Sequence, residues 1–106
     1  MATRDLLLGL DLGTSSLKGI FLNGSGEILA KHEISLATHR SGSHGEVAEQ
    51  NAHEYRNALV EFVNIAKKSH ELIKRIKAIG LSGHTPSLVP INSDGEPTAP
   101  VMIWQD

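Results

Sequence analysis

Two apolar runs joined by a very short link constrain this chain more than any other feature. "LLLGLDL" covers residues 6–12 and "LKGIFL" covers 17–22, with only Gly13-Thr14-Ser15-Ser16 between them. A near-continuous apolar run of that length suits a strand covered on both faces. The link is of hairpin length, so the two runs are predicted to pair antiparallel. Asn23-Gly24-Ser25-Gly26 follows as a turn signal. "EILAKHEISL" then alternates, with Ile28, Ala30 and His32 on one side and Leu29, Lys31 and Glu33 on the other. It reads as the third strand of a meander.

The rest of the chain changes character. "ATHRSGSHGEVAEQ" is polar, holds two glycines and reads as a surface loop. Asn51, with Glu54 three residues on, has the spacing of a capping box that opens a helix. Tyr55, Ala58, Leu59, Phe62, Val63 and Ala66 form one apolar helical face, predicted to run to about His70. Lys67, Lys68 and His70 near its end suit the negative pole of the helix dipole. Ile76 to Leu81 is a further strand, broken by Ser82-Gly83-His84-Thr85-Pro86. "SLVPI" is a strand interrupted by Pro90, at an edge or a bulge. Asn92-Ser93-Asp94-Gly95 is a turn, and "VMIW" is a last apolar run. Three strands, a helix and more strands predict a parallel neighbour joined to an antiparallel meander, giving a mixed α/β sheet. One long helix covers one face only. The other face is then exposed, and a homodimer or poor solubility is the expected consequence.

Composition excludes several function classes. At 106 residues the prior is a single domain. Net charge is −2, with a pI near 6.3, which is not the footprint of a nucleic-acid binder. Lys67, Lys68, Lys74, Arg75 and Lys77 form a basic run, but Glu71 interrupts it, as in a solvated helix end. There are no cysteines, so disulfides, thiolate metal sites and a cysteine nucleophile are out. The N-terminal apolar stretch is too short and interrupted for a signal peptide, and no run reaches membrane-spanning length. The reading is of a soluble, cytoplasmic protein without a membrane partner. The six histidines, at 32, 39, 44, 53, 70 and 84, lack the spacing of a transition-metal site.

Asp11 is the residue that asks for chemistry. It continues an apolar run, where an unpaired buried carboxylate is costly, and a donor-rich turn follows it. Two readings stay open. Asp11 caps the hairpin by accepting backbone N–H groups. Alternatively, the turn cradles a phosphate with its N–H groups and the hydroxyls of Thr14, Ser15 and Ser16, helped by Lys18. A bare phosphate would be repelled by Asp11, so the second reading calls for magnesium (Mg2+) or its bound water between them. The glycines fall at 9, 13 and 19 and no Gly-Lys-Ser/Thr follows, so the stretch is neither a dinucleotide fingerprint nor a Walker A loop.

"GLDLGTSSLKGIFLN" resembles the first phosphate hairpin of the actin-like ATPase superfamily, which includes sugar kinases, actin and heat-shock chaperone ATPases. "GEVAEQNAHEYRNAL" is similar to a segment in which Glu-Gln-Asp-Pro precedes an amphipathic helix. Here Glu49-Gln50 matches and Asn51-Ala52 replaces Asp-Pro. "IKAIGLSGHTPSLVPINSDGEPTAPVMIWQD" resembles the strand, substrate loop, hairpin and Trp-x-Asp segment of the FGGY carbohydrate kinases. The order agrees from about Leu6 to Asp106, and xylulokinase-like members are nearest in pattern.

That resemblance implies a ribonuclease H-like/actin-like ATPase fold, with residues 1–106 as part of the N-terminal domain of a longer, two-domain kinase. It implies ATP and Mg2+ as cofactors and a small sugar or polyol as substrate. Asp11 would serve the metal, and Gly13, Thr14, Ser15, Ser16 and Lys18 the phosphates. In xylulokinase-like members the substrate loop often reads Ser-Gly-Gln-Met-His-Gly. His84 stands at the Gln position and either bonds a sugar hydroxyl or braces the loop. Thr85-Pro86 replaces Met-His, so that contact does not carry over; Thr85 remains a substrate candidate by position only. Trp104 either covers the sugar or packs in the core, and Asp106 would accept from hydroxyls. The family's catalytic base lies beyond residue 106 in order, so this chain alone is expected to be inactive. A chaperone-type ATPase domain and a non-catalytic remnant are the alternatives.

Overall fold

The computed structural model describes residues 4–45, 47–85 and 87–103. In chain order the strands and helices are β1 (Leu6–Leu12), β2 (Ser16–Asn23), β3 (Ile28–Ser35), β4 (His39–Ser41) and β5 (Val47–Gln50), then α1 (Ala52–Lys67), α2 (His70–Lys74), β6 (Ile76–Gly83), β7 (Ser87–Leu88) and β8 (Val101–Ile103). They form two four-stranded sheets, β3-β2-β1-β6 and β4-β5-β8-β7. β1 runs antiparallel to β2 and parallel to β6, so the first sheet is mixed, as the strand–helix–strand order predicts.

One face of the first sheet makes the core. Leu6, Leu8, Leu17, Phe21 and Ile34 point to α1, which answers with Ala58, Phe62 and Ala66. The rings of Phe21 and Phe62 stack at 6.2 Å, and His32 meets Phe62 edge-on at 5.8 Å. α1 comes this close because β2 carries Gly19 beneath it. A Cβ there would lie 2.2 Å from two ring carbons of Phe62.

The alternate residues of the strands face away from α1. Leu7 is exposed among them, and Asp11 is exposed as well. The expectation that β1 is covered on both faces is therefore corrected, and so is the cost of burying Asp11. β6 is one edge strand of the sheet, β3 being the other, and its Ile79 and Leu81 are 60% and 76% exposed.

Local chemistry sets the boundaries. Asn51 caps α1 by accepting from the N–H of His53 at 2.9 Å. The helix stops at Lys67 rather than His70: Lys68 and Ser69 bond back to the carbonyls of Ile65 and Ala66 three residues earlier, and Ser69 leaves helical geometry. The two predicted turns close alike. The side-chain oxygens of Asn23 and Asn92 each accept two backbone N–H groups, with Gly26 and Gly95 at positive φ.

The segment read as a surface loop is corrected: it contains the β4–β5 hairpin. Ala48 and Gln50 are buried there, and the partner strand β8 comes from the far end of the chain. "SLVPI" is strand only at Ser87–Leu88; past it, Ile91 makes an isolated bridge to Pro97. No helix among the described residues is long and apolar enough to cross a membrane.

Candidate functional site

The β1–β2 turn and the segment after β6 meet at one end of the first sheet. The parallel pairing sets Asp11 beside Ser82 and Leu12 beside Gly83, and the His84 N–H donates to the Leu12 carbonyl at 2.9 Å. Ligands of open α/β sheets bind at this end, beyond the carboxyl ends of parallel strands.

The turn is built with its carbonyls facing the protein. The Gly13 N–H donates to the Ser16 carbonyl at 2.9 Å, closing the hairpin. The Ser15 carbonyl accepts from Leu36 at 2.8 Å, and the Thr14 carbonyl accepts from Gln50 Nε2 at 2.6 Å. No residue in the turn has positive φ, so it is not one of the primed hairpin turns. Among the described residues, the N–H groups of Thr14 and Ser15 meet no protein acceptor. Ser15 is exposed, Thr14 half-exposed, and Ser16 is 4% exposed at the foot of the turn. The donors on the outside are therefore those of Thr14 and Ser15, while Ser16 belongs to the packing.

Asp11 lies against this turn. Its Oδ2 would be 3.9 Å from a Cβ placed on Gly13, and the same Cβ would be 3.3 Å from the Ser16 carbonyl. Glycine keeps the backbone open to the carboxylate. No turn N–H donates to Asp11 among the described residues, so the capped-hairpin arrangement is absent there. Lys18 is directly opposite Asp11 on β2, and Glu33 opposite Lys18 on β3, which lines a cation up between two carboxylates on the face away from α1.

No group of three or more His, Asp or Glu able to hold a metal occurs among the described residues. One accessible carboxylate beside outward N–H groups fits magnesium, which keeps most of its waters and binds through one or two carboxylates plus phosphates.

The substrate candidates divide. His84 is half-buried, with Nδ1 2.7 Å from Ser87 Oγ and Nε2 3.5 Å from the Tyr55 hydroxyl. Thr85 is exposed. Trp104 and Asp106 lie outside the described residues, although β8 carries the backbone to Ile103, opposite Ser87.

Gln50 and Tyr55 are the members that residue patterning missed. Gln50 is 1% exposed; besides Thr14 it reaches Thr38 at 3.1 Å and accepts from the Tyr55 hydroxyl at 2.6 Å. Burial pushes the Tyr55 phenol above its ordinary value, with a smaller push from the charge of Glu54. The available signal for Gln50 was the Glu49-Gln50 pair of the helix-opening segment. Tyr55 was hidden because its ring fits the apolar face of α1. A cleft of about 400 Å³ lies to one side, lined by His39, Glu49, Gln50, His53 and Pro97. It shares Gln50 with the turn but not Asp11.

Residues 6–106 match the FGGY family of carbohydrate kinases, N-terminal domain. The chain is 27% identical to a xylulose kinase of Staphylococcus xylosus over 101 residues, covering 94% of this chain and 20% of that protein. It is 36% identical to a glycerol kinase of Acinetobacter baylyi over 104 residues, again 94% of this chain and 20% of the relative. A crystal structure of a xyloylose kinase from Brucella ovis superposes with a TM-score of 0.84 at 22% identity, covering 93% of this chain and 20% of that one. The fold is that of the actin-like ATPases, and the chain spans about a fifth of the length of the curated relatives it matches. With nearly all of its residues inside that match, the chain belongs to the FGGY family of carbohydrate kinases.

Proposed function

We propose that this chain is the N-terminal part of an ATP-dependent kinase that transfers the γ-phosphate of ATP to a sugar or polyol hydroxyl, a xylulose-like pentulose first. The observation that carries this reading is the meeting of Asp11, the outward N–H groups of Thr14 and Ser15, and the His84–Ser87 segment at one end of the sheet. Asp11 would hold Mg2+ directly or through water, and the turn would orient the phosphates. Magnesium, when bound, neutralises charge on the phosphates during transfer. His84 and Thr85 would face the sugar, with Trp104 and Asp106 completing that wall.

The relatives support the substrate class: they include xylulose, glycerol and erythritol kinases and a gluconokinase. Phosphoryl transfer needs nucleophile, metal and phosphates positioned together, and this chain supplies one wall of such a site. It is therefore expected to be inactive alone, with the base on residues beyond 106. Self-association through the sheet face opposite α1 belongs to the same proposal.

A coupled ATP assay of the chain with D-xylulose and other pentoses should show no sugar-dependent turnover; turnover would overturn the half-site assignment. Titration with D-xylulose should shift the backbone amides of His84, Thr85 and Ser87. Silence there, with shifts elsewhere or none, would count against the substrate assignment.

A further inference from the structure

We infer that Gln50 and Tyr55 are positioning residues that carry one fixed sense of hydrogen bonding from the β1–β2 turn to Ser87, so that Ser87 presents lone pairs, not a proton, to a substrate hydroxyl. The sense is set at the turn. The Thr14 carbonyl can only accept, so the group 2.6 Å from it must be the amide nitrogen of Gln50. The same nitrogen has a second proton for Thr38 Oγ1 at 3.1 Å. Gln50 Oε1 is then the end that faces Tyr55, and an amide oxygen only accepts, so the Tyr55 hydroxyl donates across the 2.6 Å contact.

Tyr55 has one proton, and Gln50 takes it. Burial favours the protonated phenol, which keeps that proton in place. What His84 Nε2 can offer the Tyr55 oxygen, at 3.5 Å, is an N–H. A neutral imidazole with its proton on Nε2 has a bare Nδ1. Ser87 Oγ, 2.7 Å from Nδ1, donates to it. Its proton is then used, and Ser87 is exposed with only lone pairs left to a ligand. The rings of Tyr55 and His84 meet edge-on at 5.9 Å, which holds the imidazole in this orientation. Gln50 is 1% exposed, so water does not compete at the anchored end.

The ligand-facing role of Ser87 rests on the substrate loop proposed above. The hydrogen-bond sense is read without any sugar, so its failure is separate from failure of that assignment, which the D-xylulose titration tests. The experiment is a long-range 1H–15N spectrum of the histidine rings in the chain itself, compared with Tyr55→Phe and with Leu59→Ala as a control on the same helix. His84 should show a protonated Nε2 and a bare Nδ1. Tyr55→Phe should convert His84 to a mixture of tautomers and shift the amides of both Thr14 and Ser87, while Leu59→Ala leaves all three unchanged. A protonated Nδ1 in the unaltered chain would overturn the inference, as would a Tyr55→Phe effect that stops short of Ser87. If Tyr55→Phe does not fold, the surface variant Ser87→Ala takes its place: an unchanged tautomer shows that the sense reaches His84 from Tyr55 and supports the scheme, and loss of the bare-Nδ1 preference shows that Ser87 sets it and overturns the scheme.

Discussion

Beneath the ring of Phe62, Gly19 has room for a hydrogen and nothing larger. A methyl group there would sit 2.2 Å from two ring carbons that are themselves packed on Phe21. Gly19→Ala is expected to lift α1 off β2 and cost about 1–3 kcal/mol, read as a lower Tm by calorimetry; an unchanged Tm would mean that the helix shifts freely. Asp11 and the donor-rich turn were legible in the sequence because a carboxylate ending an apolar strand needs a reason. The exposure of Asp11 was not, since an apolar run does not reveal which of its faces has a cover. Tyr55 was legible as a ring and not as a hydroxyl: the partner that uses its proton, Gln50, is fixed only by a carbonyl far away in sequence.

At the scale of elements, α1 was the most legible part of the chain. Its apolar spacing and the Asn51 cap are local signals, and the side chain accepts from His53 as a cap should. Asn51→Ala should destabilise the fold by about 1 kcal/mol, seen as a lower urea midpoint with an unchanged slope; no change would mean that water or Glu54 replaces the cap. The β4–β5 hairpin was not legible. Its inward positions carry Ala48 and Gln50, so alternation is masked by a polar residue that is buried because Thr14, Thr38 and Tyr55 satisfy it. Its pairing with β8 is non-local, and no window of sequence contains both. The end of α1 was misplaced by a few residues for a local reason: backbone bonds to carbonyls three residues back tighten the last turn at Lys68 and Ser69.

For the whole molecule, the mixed sheet followed from element order, and the uncovered face followed from having one long helix. That face carries Leu7, while the β6 edge adds Ile79 and Leu81. Exposed apolar surface beside an unpaired strand edge favours association. Light scattering should show mass rising with concentration, and a well-behaved monomer at high concentration would contradict this. At the other end of the sheet, Asp11 and the turn are assigned to a magnesium–phosphate ligand. Titration of the chain with Mg-ADP, followed by backbone amide resonances, tests this assignment most directly. Shifts should concentrate at Asp11, Gly13, Thr14 and Ser15, require magnesium, and disappear in Asp11→Asn. Shifts centred elsewhere, or an undiminished response in Asp11→Asn, would contradict it.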